Sequence, residues 1–195
     1  MNKPEIIAYF DQCAPDWDSR LVADNDKIRT ILNAAGVKEG SAVLDVACGT
    51  GVMFPYYLER KVSGVLGVDI SSEMVRIAAE KLQDPRLEVV CGDIETIPVR
   101  MQYDCCVVYN AFPHFEDPKR LVERLARWTK PGGRLTVAHG MSLETLQRHH
   151  SGSANRVSRD MLQPEELAEI FAPWFDVDVQ ISDQEKYIVS GVRRH

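Results

Sequence analysis

Short apolar segments alternate with segments of helical periodicity through the middle of the chain, and this alternation limits the possible folds more than any other feature. Five runs are rich in apolar and β-branched residues: 41–47, 63–70, 87–91, 103–109 and 134–139. Nearly continuous apolar strands are typical of a parallel sheet, because helices cover both of its faces. Repeated strand–helix–strand order predicts an open α/β sheet with right-handed crossovers.

The helical segments between these runs carry their own start and stop signals. Ser71 can cap a helix whose apolar side includes Met74. Asp117 followed by Pro118 is a cap with a first-turn proline. The Lys130-Pro131-Gly132-Gly133 cluster is expected to end that second helix, because proline and glycine interrupt helices.

The two ends of the chain differ from its middle. Residues 1–36, 142–150 and 164–172 are predicted to be helical. Two further predicted strands, Phe175–Ile181 and Tyr187–Val192, are separated by only five residues, which is too short for a crossover. These two strands should therefore pair antiparallel. The expected fold is a Rossmann-like, doubly wound, mostly parallel sheet of about seven strands, with one antiparallel strand near the C-terminus.

Composition excludes several classes of protein. The 195 residues are 45% apolar and 27% charged, which is typical of a globular chain. Lys and Arg number 23 against 29 Asp and Glu, and the net charge of −6 argues against duplex nucleic acid binding and against a polybasic membrane anchor. No apolar run approaches the roughly 20 residues of a membrane span, and no secretory signal is evident. Five cysteines without a C-x-x-C pair favour a reduced, cytoplasmic chain with mostly buried thiols.

The segment Val43–Gly51 is the strongest functional signal, because an apolar strand runs into a turn with Gly49 and Gly51. Glycine turns tightly and places no Cβ between the chain and a ligand. Asp69 follows Gly51 by 18 residues, close to the spacing of about 20 at which an acid accepts hydrogen bonds from a ribose. A dinucleotide site would have a third glycine where this chain has Phe54. A helix and strand that pack less closely are expected there, and a ligand with a ribose but no phosphate fits better.

With these features together, residues 43–51 resemble motif I of the class I S-adenosylmethionine-dependent methyltransferases. Four more segments resemble the later motifs of that family, in the same order and within about residues 40–140: Gly67–Ser71, Cys91–Ile94, Tyr109–Phe115 and Lys130–Leu135. The pattern is most similar to the small single-domain group that includes ubiquinone- and menaquinone-biosynthesis-type enzymes. The Tyr9-Phe10-Asp11 and Trp17-Asp18 segments resemble its N-terminal opener, which folds over the cofactor.

The resemblance implies S-adenosylmethionine as the cofactor. By analogy, Asp69 binds the ribose, Ile70 and Ile94 pack against the adenine, and Asp93 accepts a hydrogen bond from the adenine amino group. Each acid also has a structural interpretation: Asp45 and Asp93 as acids that satisfy a turn, and Asp69 as a cap of the next helix. The cofactor-binding candidates are Tyr9, Trp17, Asp45, Ala47, Cys48, Gly49, Gly51, Asp69, Ile70, Met74, Asp93, Ile94, Asn110 and Phe112.

Three histidines are the catalytic candidates: His114 after the fourth strand, His139 at the end of the fifth, and His149 beyond it. An imidazole titrates near pH ~6.5, so one of them can orient the acceptor or remove its proton. For His114 the alternative is a residue at the start of a helix with no chemical role. No His-x₃-His or His-Glu-x-x-His spacing occurs, so no metal is expected.

The chain is expected to be one methyltransferase domain over 1–195. It would comprise a helical lid (1–36), a cofactor-binding core (40–140), acceptor-side helices (141–174) and a C-terminal strand pair (175–193). The predicted function is direct in-line methyl transfer to a small-molecule acceptor by a monomer or homodimer, without a nucleic acid or membrane partner. Two alternatives stay open: a protein or RNA acceptor, and a non-catalytic S-adenosylmethionine-binding subunit.

Overall fold

The computed structural model describes residues 2–20, 24–81, 83–150 and 156–195. Seven strands form one sheet in the order β3-β2-β1-β4-β5-β7-β6. Their bounds are β1 Ala42–Val46, β2 Gly64–Asp69, β3 Leu87–Cys91, β4 Tyr103–Tyr109, β5 Thr129–His139, β6 Phe175–Ser182 and β7 Tyr187–Arg193.

Helices precede the sheet and connect its strands. Two single turns of 3₁₀ helix are also present: Ala14–Asp16 follows the first helix, and Phe112–His114 follows β4. The α-helices are α1 Lys3–Cys13, α2 Trp17–Arg20, α3 Asn25–Ala34, α4 Phe54–Glu59, α5 Ser72–Lys81, α6 Pro118–Trp128, α7 Leu143–His150 and α8 Pro164–Phe171. None of them, within the part of the chain that the structure describes, has the length and apolar character to cross a membrane.

The strand order reverses between β1 and β4, which lie side by side at the centre of the sheet. Strands β1 to β5 pair in parallel, and β7 runs antiparallel to both β5 and β6. This confirms the predicted Rossmann-like sheet with one antiparallel strand. A reversal of strand order leaves a crevice at the carboxyl ends of the two central strands, which is where ligands bind in open α/β sheets.

Apolar side chains cover both faces of the sheet, as the strand sequences predict. Cys105 and Cys106 are consecutive in β4 and belong to the hydrophobic clusters on opposite faces. Leu121 and Leu125 of α6 are fully buried in the same cluster as Cys106. Among the other thiols Cys48 is buried, whereas Cys91 at the end of edge strand β3 is exposed, contrary to the expectation for a strand-end cysteine.

Strand β5 begins earlier than the sequence predicts. Helix α6 does end at Trp128, as its breakers require, but the chain enters the sheet directly at Thr129. Tyr103 lies opposite Thr129 while Cys105 lies opposite Arg134, so an irregularity in the pairing absorbs the extra residues. The glycine-rich cluster is therefore part of the strand and not only a turn before it.

Candidate active site

A cavity lies at the carboxyl ends of β1, β2 and β4, and the N-terminal segment 3–20, which contains α1 and α2, forms its cover. Eleven of the predicted site residues line it, and they come from the turn after β1, the ends of β2 and β4 and the turn that follows β4, the segment after β3, the start of α5 and the N-terminal cover. They are Trp17, Ala47, Cys48, Gly49, Asp69, Ile70, Met74, Asp93, Ile94, Asn110 and His114.

The turn after β1, residues 47–51, forms an elbow that needs glycine. Ala47, Gly49 and Gly51 all have positive φ, of 54°, 54° and 78°. A Cβ built on Gly49 would meet nothing closer than Trp17 Nε1 at 3.9 Å, so the elbow is open toward the cavity. A backbone with no side chain at that point allows a ligand to approach its N–H groups closely.

Phe54 packs behind the elbow, and two glycines make room for its ring. A Cβ on Gly51 would lie 2.6 Å from Phe54 Cδ2, and one on Gly67 of β2 would lie 2.7 Å from Phe54 Cζ. Phe54 is almost fully buried. The bulk that departs from the dinucleotide pattern is therefore accommodated by glycine on both the turn and the neighbouring strand.

Asp69 connects the elbow to β2. Its Oδ2 accepts a hydrogen bond from the Gly49 N–H (2.8 Å), and its Oδ1 accepts one from the Ser71 N–H (2.9 Å). Burial raises the pKa of this carboxyl, and the hydrogen bonds from Ser71 and Gly49 oppose the shift. Asp69 thus caps the following turn and also lines the cavity, so the two interpretations of this residue are compatible.

Asp45 lies beneath the elbow, is 1% exposed and does not line the cavity. Burial, followed by the charge of Asp69, raises the pKa of its carboxyl well above the ordinary value. Two carboxyl groups held in a poorly solvated region favour a cation nearby, because a positive charge offsets their desolvation.

On the opposite wall, the N-terminal helix reaches the acid after β3. Lys3 Nζ lies 2.5 Å from Asp93 Oδ2 and 2.7 Å from Glu95 Oε2. Burial lowers the pKa of Lys3, but the hydrogen bonds that its ammonium group donates to the two carboxylates outweigh this effect and raise the pKa overall. The predicted adenine acceptor is therefore paired with a lysine of the cover.

Helix α1 presents one face to the cavity. Lys3, Ile6 and Phe10 all line it, at the i, i+3 and i+7 spacing of a helix face. Asp11 Oδ1 accepts hydrogen bonds from Ser71 Oγ (2.5 Å) and the Glu73 N–H (3.2 Å), which attach α1 to the start of α5. The helical spacing is a sequence signal that could have identified Lys3, Ile6 and Phe10 as site residues.

A second attachment follows the 3₁₀ turn. Asp18 Oδ1 accepts a hydrogen bond from Thr50 Oγ1 (2.5 Å), and its Oδ2 lies 2.6 Å from Lys81 Nζ. Thr50 belongs to the elbow itself. The cover is thus bonded to the elbow as well as to α5.

His114 lines the cavity beside Phe10, whose ring meets it edge-on with centroids 4.9 Å apart. Its Nδ1 lies 2.9 Å from the Val157 carbonyl oxygen and 3.1 Å from Ser158 Oγ. His114 is the one catalytic candidate with a described side chain that the structure brings to the cavity.

The other predicted residues lie elsewhere. His139 is 1% exposed and faces Tyr187 of β7, with ring centroids 6.2 Å apart, and is absent from the cavity lining. The side chain of His149 lies outside the described residues. Four cofactor candidates are also not in the lining: Tyr9, Asp45, Gly51 and Phe112. Gly51 shapes the elbow from behind, and Phe112 is fully buried beneath an arginine, with Arg159 Cζ 5.1 Å from its ring centroid.

Several lining residues had no sequence signal. Glu95 and Glu116 are examples, because they reach the cavity through the path of loops and not through a local pattern. Among the described residues, no group of three or more His, Cys, Asp or Glu side chains could hold a metal ion.

Comparison with known proteins identifies the type of domain. Residues 44–137 match the family model described as a methyltransferase domain. A demethylmenaquinone methyltransferase of Renibacterium salmoninarum is 29% identical over 194 residues, covering 89% of this chain and 79% of that protein. A malonyl-[acyl-carrier protein] O-methyltransferase of Priestia megaterium is 26% identical, covering 77% of this chain and 56% of that protein.

The fold recurs in solved structures. The N-methyltransferase NodS of Bradyrhizobium japonicum, in complex with S-adenosyl-L-homocysteine, superposes with a TM-score of 0.78 over 97% of this chain and 99% of that one. Its sequence is 13% identical, so the similarity is one of fold.

Proposed function

We propose that this chain is an S-adenosylmethionine-dependent methyltransferase that methylates a small-molecule acceptor by direct in-line transfer. The observation that carries the proposal is the elbow together with its cover. Strand ends and α1 enclose one cavity that holds Asp69 and Gly49 at one point of its wall and His114 at another. A donor and an acceptor can thus lie in the same enclosed space.

The residues present fit S-adenosylmethionine. Asp69 offers a carboxylate to ribose hydroxyls, and Asp93 offers one to the adenine amino group. Ile70 and Ile94 supply apolar walls for a purine ring. The buried carboxyl of Asp45, close enough to Asp69 for their charges to interact, favours the positive charges of the sulfonium and the amino acid end.

When bound, S-adenosylmethionine supplies a methyl group made electrophilic by its sulfonium. The chain holds the acceptor in line with that methyl group and excludes water by placing Phe10 and Trp17 over the cavity. Orientation of this kind can lower the activation free energy by on the order of 7–11 kcal/mol. A base is needed only where the acceptor atom carries a proton.

Relatives named for a demethylmenaquinone and a malonyl-[acyl-carrier protein] substrate support an acceptor that is a small molecule or a small group on a carrier. The segment after β4, Asn110-Ala111-Phe112-Pro113, differs from the Asn/Asp-Pro-Pro-Tyr sequence expected for methylation of amino groups in protein or nucleic acid. A protein or RNA acceptor is therefore the second candidate.

The test is release of S-adenosyl-L-homocysteine with defined acceptors: a soluble demethylmenaquinol analogue, a malonyl thioester, a mixed protein substrate and total RNA. We expect release with a small-molecule acceptor and none with protein or RNA. The Asp69→Asn variant, in which cofactor binding should be weakened, measures the background release. Release with protein or RNA alone would overturn the proposal. Cofactor binding without turnover of any acceptor would instead favour a non-catalytic binding subunit.

A further inference from the structure

Three consecutive residues after α7 pack against the turn that carries His114. Ser158 Oγ and the Val157 carbonyl both contact His114 Nδ1. We propose that Val157 and Ser158 are positioning residues that hold His114 as the Nδ1–H tautomer, so that Nε2 is the basic nitrogen that takes a proton from the methyl acceptor. This inference rests on the proposed function, because it assigns the base of the same site.

The contact with Val157 decides the tautomer. A backbone carbonyl oxygen can only accept a hydrogen bond, so a neutral His114 must carry its proton on Nδ1 to bond with it at 2.9 Å. The Ser158 hydroxyl, 3.1 Å away, can accept from the same N–H. In the neutral ring the lone pair then resides on Nε2, which is the form that a general base requires.

The segment is fixed on both sides of the histidine. The Arg159 N–H donates to the Pro113 carbonyl (2.9 Å), and Arg159 Nε donates to the Phe115 carbonyl (3.1 Å). Ser158 is 6% exposed. Because residues before and after His114 are bonded to the same segment, the ring is held in one orientation, and a fixed orientation is what makes proton transfer efficient.

The cover completes the environment of the ring. Phe10 of α1 lies edge-on to His114, so its ring shields one side of the imidazole from water. The charged groups on the elements around it are Glu116 on its own loop, Arg159 beside Ser158, and Lys3 with its partners Asp93 and Glu95 in the lining of the same cavity. Variants at Ser158 leave all of these groups unchanged.

The proton balance names the class of acceptor. The bond between sulfur and the methyl carbon breaks, and its electron pair stays on sulfur. A new bond forms between the methyl carbon and the acceptor atom, whose proton passes to His114 Nε2. Such a base serves an acceptor with a hydroxyl group or an acidic carbon, and it is not required by a thiolate or a tertiary amine.

The test is nitrogen-15 NMR of the histidine rings in the full chain, without cofactor or acceptor. At high pH we expect His114 to show Nδ1 protonated and Nε2 unprotonated. Ser158→Ala removes one acceptor that also stabilises the imidazolium, which should lower the pKa of His114 by about half a unit to one unit. Ser158→Thr, which keeps the hydroxyl, should restore the pKa of His114. The ring of His139 is the internal control.

A His114 protonated on Nε2 in the unmodified chain overturns the inference, and that measurement needs no variant to fold. A Ser158→Ala protein in which the pKa of His114 is unchanged also overturns the role of Ser158. Because the tautomer is measured without ligand, its failure is separate from failure of the proposed function. The proposed function fails if S-adenosyl-L-homocysteine does not bind in calorimetry, whatever the tautomer.

Discussion

At the scale of single residues, the packing of one ring against two glycines sets the shape of the elbow. Phe54 fills the space that a Cβ on Gly51 or Gly67 would need. A Cβ on Gly67 would also lie 2.9 Å from Cys48 Sγ, and Cys48 lines the cavity. Gly67 therefore affects both the stability of the sheet and the position of the elbow.

We expect Gly67→Ala to lower the free energy of unfolding by about 1–3 kcal/mol, because a methyl group is forced into a filled core. Affinity for S-adenosyl-L-homocysteine should fall with it, as Cys48 is displaced. Gly64→Ala is the matched control on the same strand, since its Cβ would meet only Arg86 O at 3.6 Å. Urea unfolding and calorimetry of both variants check this, and equal stabilities would contradict it.

Asp45 shows how a buried carboxyl group can oppose stability. Its carboxyl is buried beside Asp69, and its pKa is raised well above the ordinary value by burial first and by that neighbour second. Below pH ~4 the group is protonated in both the folded and the unfolded chain. Above this pH the unfolded chain releases the proton first, so the folded state binds more protons and the free energy of unfolding falls as pH rises.

Asp45→Asn removes this titration. We expect the variant to gain stability relative to the natural chain as pH rises from about 4 to 8, and to bind S-adenosylmethionine more weakly. Asp104→Asn should behave in the opposite way. Burial raises the pKa of Asp104, but hydrogen bonds from Lys130 and the Ala42 N–H lower it overall. Urea unfolding at several pH values measures both, and parallel curves for the two variants would refute the account.

At the scale of elements, the N-terminal cover is held by polar side chains bonded to other elements. Asp11 bonds to the start of α5, Asp18 bonds to Thr50 in the elbow, and Lys3 bonds to Asp93. Single bonds of this kind contribute roughly 0.5–1.5 kcal/mol each, so the cover can open without unfolding of the sheet.

We expect Asp11→Ala to speed amide hydrogen exchange of residues 3–13 on the order of tenfold, because both bonds to α5 are lost. Exchange in β1 and β4 should not change. Gln12→Ala, at an exposed neighbour on the same helix, is the control. S-adenosyl-L-homocysteine should slow exchange of α1 in the natural chain. Equal exchange in the two variants would show that Asp11 does not hold the cover.

Local patterns were sufficient for most elements. The short apolar runs predicted strands β1 to β5, because helices cover both faces of a parallel sheet. The two C-terminal strands were predicted as well, although β6 alternates apolar and polar residues along its length. The start of β5 was missed because glycine and proline usually mark a turn, whereas here the irregular pairing opposite Tyr103 absorbs them.

Contacts between distant residues were beyond sequence reasoning. Lys3 pairs with Asp93 across 90 positions, and His114 pairs with Val157 across 43, and no local periodicity encodes either contact. His139 was placed correctly at the end of its strand, but the sequence of a strand buried on both faces does not show which side chains reach the cavity. The elbow was predictable because its glycines and the acid of the next strand lie at characteristic spacing.

At the scale of the whole molecule, the net charge of the chain and the charges that line the cavity have the same sign. The chain carries a net charge of −6, and carboxylates of Asp69, Asp93, Glu95 and Glu116 line the cavity with one lysine. A cleft with excess negative charge raises the local concentration of cations. S-adenosylmethionine carries a positive sulfonium, whereas a nicotinamide dinucleotide carries a negative pyrophosphate, so the field of the molecule favours the first.

The most direct measurement is a calorimetric titration of the full chain with S-adenosylmethionine, S-adenosyl-L-homocysteine and NAD, repeated with Asp69→Asn and with the control Asp104→Asn. Both adenosyl ligands should bind the natural chain and the control, and NAD should bind neither. Asp69→Asn should bind both adenosyl ligands about tenfold or more weakly than the natural chain, because it loses one charged hydrogen-bond acceptor. Binding of NAD, or an Asp69→Asn variant that binds the adenosyl ligands as tightly as the natural chain, would contradict the account.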